Sequence, residues 1–360
     1  MHPLCTRRLF TYARDMDLIA RLTTYFDQPD HDQSGAGRPA ADLLAGLVTA
    51  GLDALPLPGR GATFLRWRCL ALVASHDLSL AKLYEGHTDA LAILSALQAP
   101  IAGNATWGVW CAEVPGAQVV VHPSNESGVL THLASVRLTG NKAWCSGAAN
   151  LQHALLSVRS VEGTNYLAAV DLASAGISID ATQWAAIGMA QSASLDVRFE
   201  DVPATLVGEA GAYLDRPGFW HGGAGIAACW YGAAAAIAHC TRGQFARTAD
   251  PHFLAHLGAI DVALRGASVT LHRLAEQIDR VPGSAAMTAV LQARAQTEDA
   301  ATAVMTHAGR ALGAAPLCRD PSFARKMTDL PVFLRQSHAE RDLAFLGSQL
   351  LMGEQRPWQL

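Results

Sequence analysis

The sequence predicts a mostly helical α+β fold laid out as helices, then strands, then helices. Three observations carry this. Apolar residues recur at spacings of three and four through the first hundred positions, short β-rich runs crowd the middle, and helical periodicity returns after Gly218. The expected boundaries are an N-terminal helical domain over 1–105, a central β domain over 106–210 and a C-terminal helical bundle over 211–360.

From Met16 to Gln98 the helical reading rests on groups such as Leu43, Leu44, Leu47 and Leu91, Ile93, Leu94, Leu97, with Pro56 to Gly61 as the breaker. The stretch from Asp27 to Ala41, rich in Asp, Gly and Pro, reads as an exposed loop. Six strands are expected at Val119–Val121, Ser135–Leu138, Ala154–Val158, Tyr166–Val170, Ile177–Ile179 and Leu195–Phe199, spaced closely enough for a compact sheet or barrel. The last of these alternates apolar and charged side chains and stops at Pro203. Helical blocks follow at Gly225–Ala246, His256–Val281 and Gly283–Leu312, with a final pattern from Phe323 to Leu351 completing a four-helix bundle.

The 360 residues are half hydrophobic and 16% charged, enough apolar material for a large core. A formal net charge of −4 and the lack of a Lys/Arg cluster argue against a nucleic-acid partner. The seven cysteines are scattered without C-x-x-C spacing, which fits a reducing cytoplasm and neither a disulfide framework nor a zinc site. No uninterrupted apolar run reaches the roughly 18 residues of a membrane span, and the N-terminus lacks a signal-peptide core. The expected location is cytoplasmic.

The run Leu138-Thr139-Gly140-Asn141-Lys142-Ala143-Trp144-Cys145-Ser146-Gly147 places a tight turn, an indole and a hydroxyl within ten residues. An apolar wall beside a hydroxyl donor suits a flat, polar cofactor. Val197 to Pro203 lies some fifty residues on, and Trp107 to Ala117 precedes both. Together with the helix–strand–helix order, these runs resemble the acyl-CoA dehydrogenase superfamily of FAD-dependent flavoproteins over nearly the whole chain. Leu138 to Gly147 is similar to that family's N-G-x-K-x-W-I-T/S turn, Val197 to Pro203 to its F-x-D-V-x-V-P strand, and Asp77-Leu78-Ser79 to a D-L-S helix element.

The resemblance implies FAD as cofactor, with Trp144 against the isoalloxazine and the Ser146 hydroxyl near its reactive N5 edge. Trp107 to Ala117 stands where the family has A-x-T-E-P-x-A-G-S-D, implying flavin contacts from Cys111, Ala112 and Glu113. His307 to Ala315 resembles Q-x-x-G-G-x-G, which implies that Gly313 and Ala314 approach the adenine-side phosphates of a flavin on a neighbouring subunit. Arg247 stands near the place of an arginine that meets the pyrophosphate. A homodimer or homotetramer follows from the same likeness. Gly222-Gly223-Ala224-Gly225, after His221, reads either as a phosphate-binding nest or as a closely packed helix start.

The family's usual base, a glutamate in a C-terminal Y-E-G-T turn, is missing. Its expected position falls near Ala344 to Leu346, and the titratable groups nearby, His338, Glu340 and Asp342, are the candidate catalytic groups. His338 and Asp342 share one helix face, and Ser337, Arg341 and Ala344 another. Arg335-x-x-His338-Ala339 also resembles flavin monooxygenases of the same fold. Three activities are therefore expected in turn. The first is α,β-dehydrogenation of an acyl thioester or related carbonyl-activated substrate, passing electrons to an acceptor. The second is monooxygenation, with reduced flavin from a reductase partner. The third is a degenerate homologue that binds or assembles without catalysis. No metal is expected.

Overall fold

The computed structural model describes residues 17–28, 38–124, 128–244, 250–352 and 358. Helix α1 covers residues 17–26. It is followed by α2 (Ala40–Thr49), α3 (Thr63–His76) and α4 (Leu78–Ala96). Asp77 explains the D-L-S element physically: its carboxylate accepts the Leu80 backbone N–H at 2.7 Å and caps α4.

Seven strands come next: β1 (Trp107–Trp110), β2 (Val119–Pro123), β3 (Ser135–Cys145), β4 (His153–Arg159), β5 (Asn165–Asp171), β6 (Ile177–Asp180) and β7 (Leu195–Leu206). Their pairing runs β1-β4-β2-β3-β7-β5, and β5 pairs again with β4, so the sheet closes into a barrel, with β6 added on β7. β1 was not among the expected strands. It is only four residues long, and Gly108 interrupts the β-branched and aromatic pattern that marks the others.

Register slips twice along the β3–β7 ladder, between Leu138 and Gly140 and between Lys142 and Cys145. At the first slip Gly140 has φ +131°, and a Cβ there would meet the Gln118 carbonyl oxygen at 2.2 Å, so only glycine fits. The second slip falls on the Trp144 turn.

The helices return as α5 (Ala212–Asp215), α6 (Gly218–Gly243), α7 (Pro251–Arg280), α8 (Met287–Leu312), α9 (Ala315–Arg319), α10 (Pro321–Leu334) and α11 (Ala339–Met352). The expected last helical pattern is thus two helices, parted by residues 335–338. One continuous apolar core, from Leu22 to Leu334, joins helices from both ends of the chain. A second core fills the barrel, and a third, with Ile93, Leu94, Trp107 and Leu155, seals α4 onto it.

Two helices, α6 and α7, have the length and mean hydropathy of a membrane-crossing segment, which the count of uninterrupted apolar residues had not suggested. The apolar window of α6 is 56% buried in the core, whereas that of α7 is 17% buried. The exposed side of α7 carries Val262, Val269 and an Asp261–Arg265 ion pair. Among the described residues the cysteines are free, and no group of three or more metal-ligating side chains forms.

Candidate active site

Trp144, next to last in β3, has φ +59°, a left-handed backbone that a bulky residue rarely adopts, and is 63% exposed. The strain and the exposure together make Trp144 a candidate for ligand contact. The two neighbours turn the other way: Cys145 is fully buried in the barrel, where burial pushes its thiol far up, and Ser146 is half-buried.

Ser146 belongs to a chain of hydroxyls. Its Oγ lies 2.7 Å from Ser194 Oγ, which lies 3.1 Å from Ser192 Oγ. Each hydroxyl can donate once and accept twice, so the chain leaves hydrogen-bonding capacity at its Ser146 end. The Trp110 indole N–H fixes the turn by donating to the Ser146 carbonyl at 3.0 Å, and Gly147 N–H donates to Ser192 O at 2.8 Å. The loop carrying Ser192 is pinned in turn by Asp329 of α10, whose carboxylate accepts Met189 N–H at 2.6 Å. Burial raises the Asp329 carboxyl to about 6.

On the adjoining edge of the barrel, Lys142 is 2% exposed and its Nζ donates to Ser157 Oγ at 2.7 Å, to Ser157 O at 3.3 Å and to Glu113 Oε1 at 3.4 Å. Ser157 donates to Glu113 at 2.6 Å, and Arg159 reaches its other oxygen at 3.4 Å. Glu113 is therefore held between two cations. It anchors Cys111-Ala112-Glu113 beside β3, a short way from the Trp144 turn. Burial pushes the Cys111 thiol up to about 11, despite a hydrogen bond with Tyr213, so it stays neutral at neutral pH.

Helix α4 covers the other flank of the turn. Lys82, Leu83 and Gly86 face Gly108, Val109, Ser146 and Leu151 across a crevice of about 10 Å³, room for about one water. His87, fully buried one residue further on, ties α4 to β1: its Nδ1 accepts Trp107 N–H at 3.1 Å while Nε2 lies 3.1 Å from Asp53. Accepting at Nδ1 requires the proton on Nε2, so the ring donates to Asp53.

The C-terminal candidates divide. His338 stands in the break before α11 and is exposed; the little desolvation it has, together with the Arg341 and Arg294 charges, lowers its affinity for a proton, against the pull of Asp342. Asp342 is half-buried and within electrostatic reach of Arg294, while Glu340 is exposed. The expected helix face shared by His338 and Asp342 does not form, because the helix starts at Ala339, after His338; Asp342 is the α11 group within electrostatic reach of Arg294.

Gly313 and Ala314 lie at the α8–α9 junction, exposed, with open space beside Gly313. Arg247 lies outside the described residues. Gly222 to Gly225 form no nest, because they lie within regular α6. His221 is 2% exposed and its Nε2 lies 2.9 Å from the Ser284 carbonyl, which makes it a tie between α6 and the loop after α7.

Sequence reasoning missed Lys142, Ser192, Ser194, His87 and Arg294. Lys142 stood inside the quoted motif and could have been singled out as its one cation. The others gain meaning only from contacts with residues distant in sequence.

No family model matches the chain, and no curated protein does. Solved structures do. KijD3 in complex with FMN and dTDP-3-amino-2,3,6-trideoxy-4-keto-3-methyl-D-glucose matches with a TM-score of 0.77 at 18% identity, over 96% of this chain and 95% of that one. TdsC from Paenibacillus sp. A11-2 with FMN and indole matches with a TM-score of 0.76 at 19% identity, over 94% and 97%. Methanesulfinate monooxygenase MsuC from Pseudomonas fluorescens gives 0.73 at 21% identity, over 99% of both chains. The shared property is the fold, which is similar to that of acyl-CoA dehydrogenase-like flavoproteins.

Proposed function

We propose that this chain is a flavin-dependent monooxygenase that uses reduced flavin from a separate reductase. The observation that carries the reading is the outward indole of Trp144 on strained backbone, with the Ser146 hydroxyl chain beside it. The residues present fit a flavin: Trp144 offers the ring wall, Ser146 a donor for its polar edge, and the Cys111 to Glu113 segment backbone beside them. FMN is the first choice, since it is the flavin named with KijD3 and TdsC; the wider expectation of FAD rests on Gly313, Ala314 and Arg247.

Bound in reduced form, the flavin would supply two electrons to dioxygen, one oxygen atom passing to substrate and the other to water. The chain's own part is to hold the ring, exclude water and manage protons. Ser146 orients the polar edge, α4 closes the crevice beside it, and His338 is the proton-handling group. Its lowered proton affinity keeps the imidazole neutral and able to accept a proton near neutral pH. Oxygenation is favoured over α,β-dehydrogenation because Ala344 to Leu346, where the dehydrogenases of the resemblance would carry a glutamate, hold no carboxylate, while His338 stands nearby in a stretch that resembles flavin monooxygenases. Two of the similar structures are named as monooxygenases, MsuC and the dibenzothiophene monooxygenase TdsC.

Self-association is part of the proposal. The exposed face of α7 suits a second copy packed antiparallel about a two-fold axis, which would set Asp261 of each copy against Arg265 of the other. Charges in the middle of that face speak against a lipid occupant.

The test supplies the purified chain with FMN, NADH, a flavin reductase and indole as probe under ¹⁸O₂. Label in an indole product supports the reading. Anaerobic bleaching of bound flavin by an acyl thioester, without labelled product, would replace it with dehydrogenation. A folded chain that gives no labelled product and binds neither oxidised nor reduced FMN would leave a binding or assembly role.

A further inference from the structure

Arg294 is buried in α8, 7% exposed, and belongs to none of the motifs above. Its guanidinium makes contacts in three directions. One nitrogen donates to the Gly223 carbonyl near the start of α6, and another donates to the Gln336 carbonyl at 3.1 Å, in the break between α10 and α11. The plane lies 4.8 Å from the ring centroid of Trp230, itself fully buried. The carboxylates of Glu85, Glu298 and Asp342, from α4, α8 and α11, surround it.

A buried guanidinium is costly unless its donors are used, and a purely apolar packing of α8 on α6 would hold the bundle as well. The fork spends its donors on backbone carbonyls, one of them in the segment that carries His338. That segment needs holding. None of the residues of α11 is buried, and Ala339 begins the helix at φ +34°. The segment is tied to α8 at its exposed side by the Arg335–Glu298 ion pair and to the end of α10 by Ser337 N–H donating to Leu334 O; Arg294 adds the buried anchor, at Gln336, two residues before His338.

We propose that Arg294 is a positioning residue: by tying the Gln336 carbonyl to the Gly223 carbonyl it fixes where His338 stands against the start of α6. The proposal rests on the reading of His338 as the proton-handling group. The groups facing His338 are Arg341 and Asp342 from α11 and Arg294 from α8. Removing Arg294 therefore frees the segment and takes away one cation.

The test compares the full chain with Arg294→Met and Arg294→Lys by two readouts that need neither flavin nor substrate. One is hydrogen–deuterium exchange of the peptide spanning 335–342; the other is NMR titration of the His338 Cε1–H signal, assigned with His338→Gln. In Arg294→Met, exchange is expected to quicken about tenfold, as one buried charged hydrogen bond is lost, and the His338 midpoint to rise, as one neighbouring cation is lost. Arg294→Lys keeps the charge but not the fork, so the midpoint should stay while exchange quickens. It also serves as the folded comparison if the methionine variant does not fold. Unchanged exchange in the folded variants would overturn the proposal, as would a midpoint unmoved in Arg294→Met. Failure of FMN to bind would count against the proposed function and leave these readouts standing.

Discussion

Trp144→Ala separates flavin binding from folding, because the chain makes little use of this indole for its own stability. With 63% of the residue exposed, truncation removes little buried area, and stability should change by less than about 1 kcal/mol. Flavin binding is another matter. A tryptophan side chain presents up to about 250 Å², so an isoalloxazine laid on one face of the exposed part would cover about 80 Å² of it. At about 25 cal/mol per Å² that is about 2 kcal/mol, or about a thirtyfold rise in Kd. Trp144→Gly should bind as weakly yet gain up to about 1 kcal/mol of stability, because glycine adopts φ +59° without strain. FMN fluorescence titration gives the first quantity and urea unfolding the second. Equal FMN affinity in the wild type and both variants would refute the assignment of the indole, and a large loss of stability would refute the claim that it is not a folding residue.

Other consequences reach further into the fold. The Asp329 carboxyl is raised to about 6, so its contribution is fully present below the unfolded value of 3.8 and is lost as pH rises through 6; the span is worth about 3 kcal/mol. Asp329→Asn should therefore match the wild type near pH 4 and exceed it at pH 7 by up to that amount, less the weakened bond to Met189, as read by urea unfolding at both pH values. Gly232 lies where α3 crosses α6, and a Cβ there would meet the Ala71 carbonyl oxygen at 2.0 Å; Gly232→Ala should cost about 3 kcal/mol or more and lower Tm by several degrees in a thermal scan. His87→Leu leaves both Trp107 N–H and Asp53 without their imidazole partner and should cost about 3 kcal/mol by urea unfolding.

The parts of this molecule that were legible in the sequence are those fixed by local pattern. Alternation over Leu195 to Phe199 marked β7, and spacing by three and four marked α6, α7 and α8, because in each the buried face repeats with the period of the element. β1 was lost because four residues with a central glycine carry too little pattern. The break at 335–338 was lost because helical periodicity on either side of it runs on nearly in phase. In the site, the Trp144 turn could be read since its glycine, lysine, indole and hydroxyl are adjacent in sequence. The Ser146–Ser194 pair, the Lys142–Glu113 contact and the Arg294 fork span 48, 29 and 42 or more residues, and nothing local announces them.

On the proposed function, the Trp144–Ser146 turn holds a flavin. The most direct measurement is the absorption spectrum of the purified chain titrated with FMN. Saturation near one FMN per chain, with a perturbed flavin band that is lost in Trp144→Ala, is the predicted result. A folded chain whose added FMN keeps the spectrum of free flavin at every concentration would contradict it.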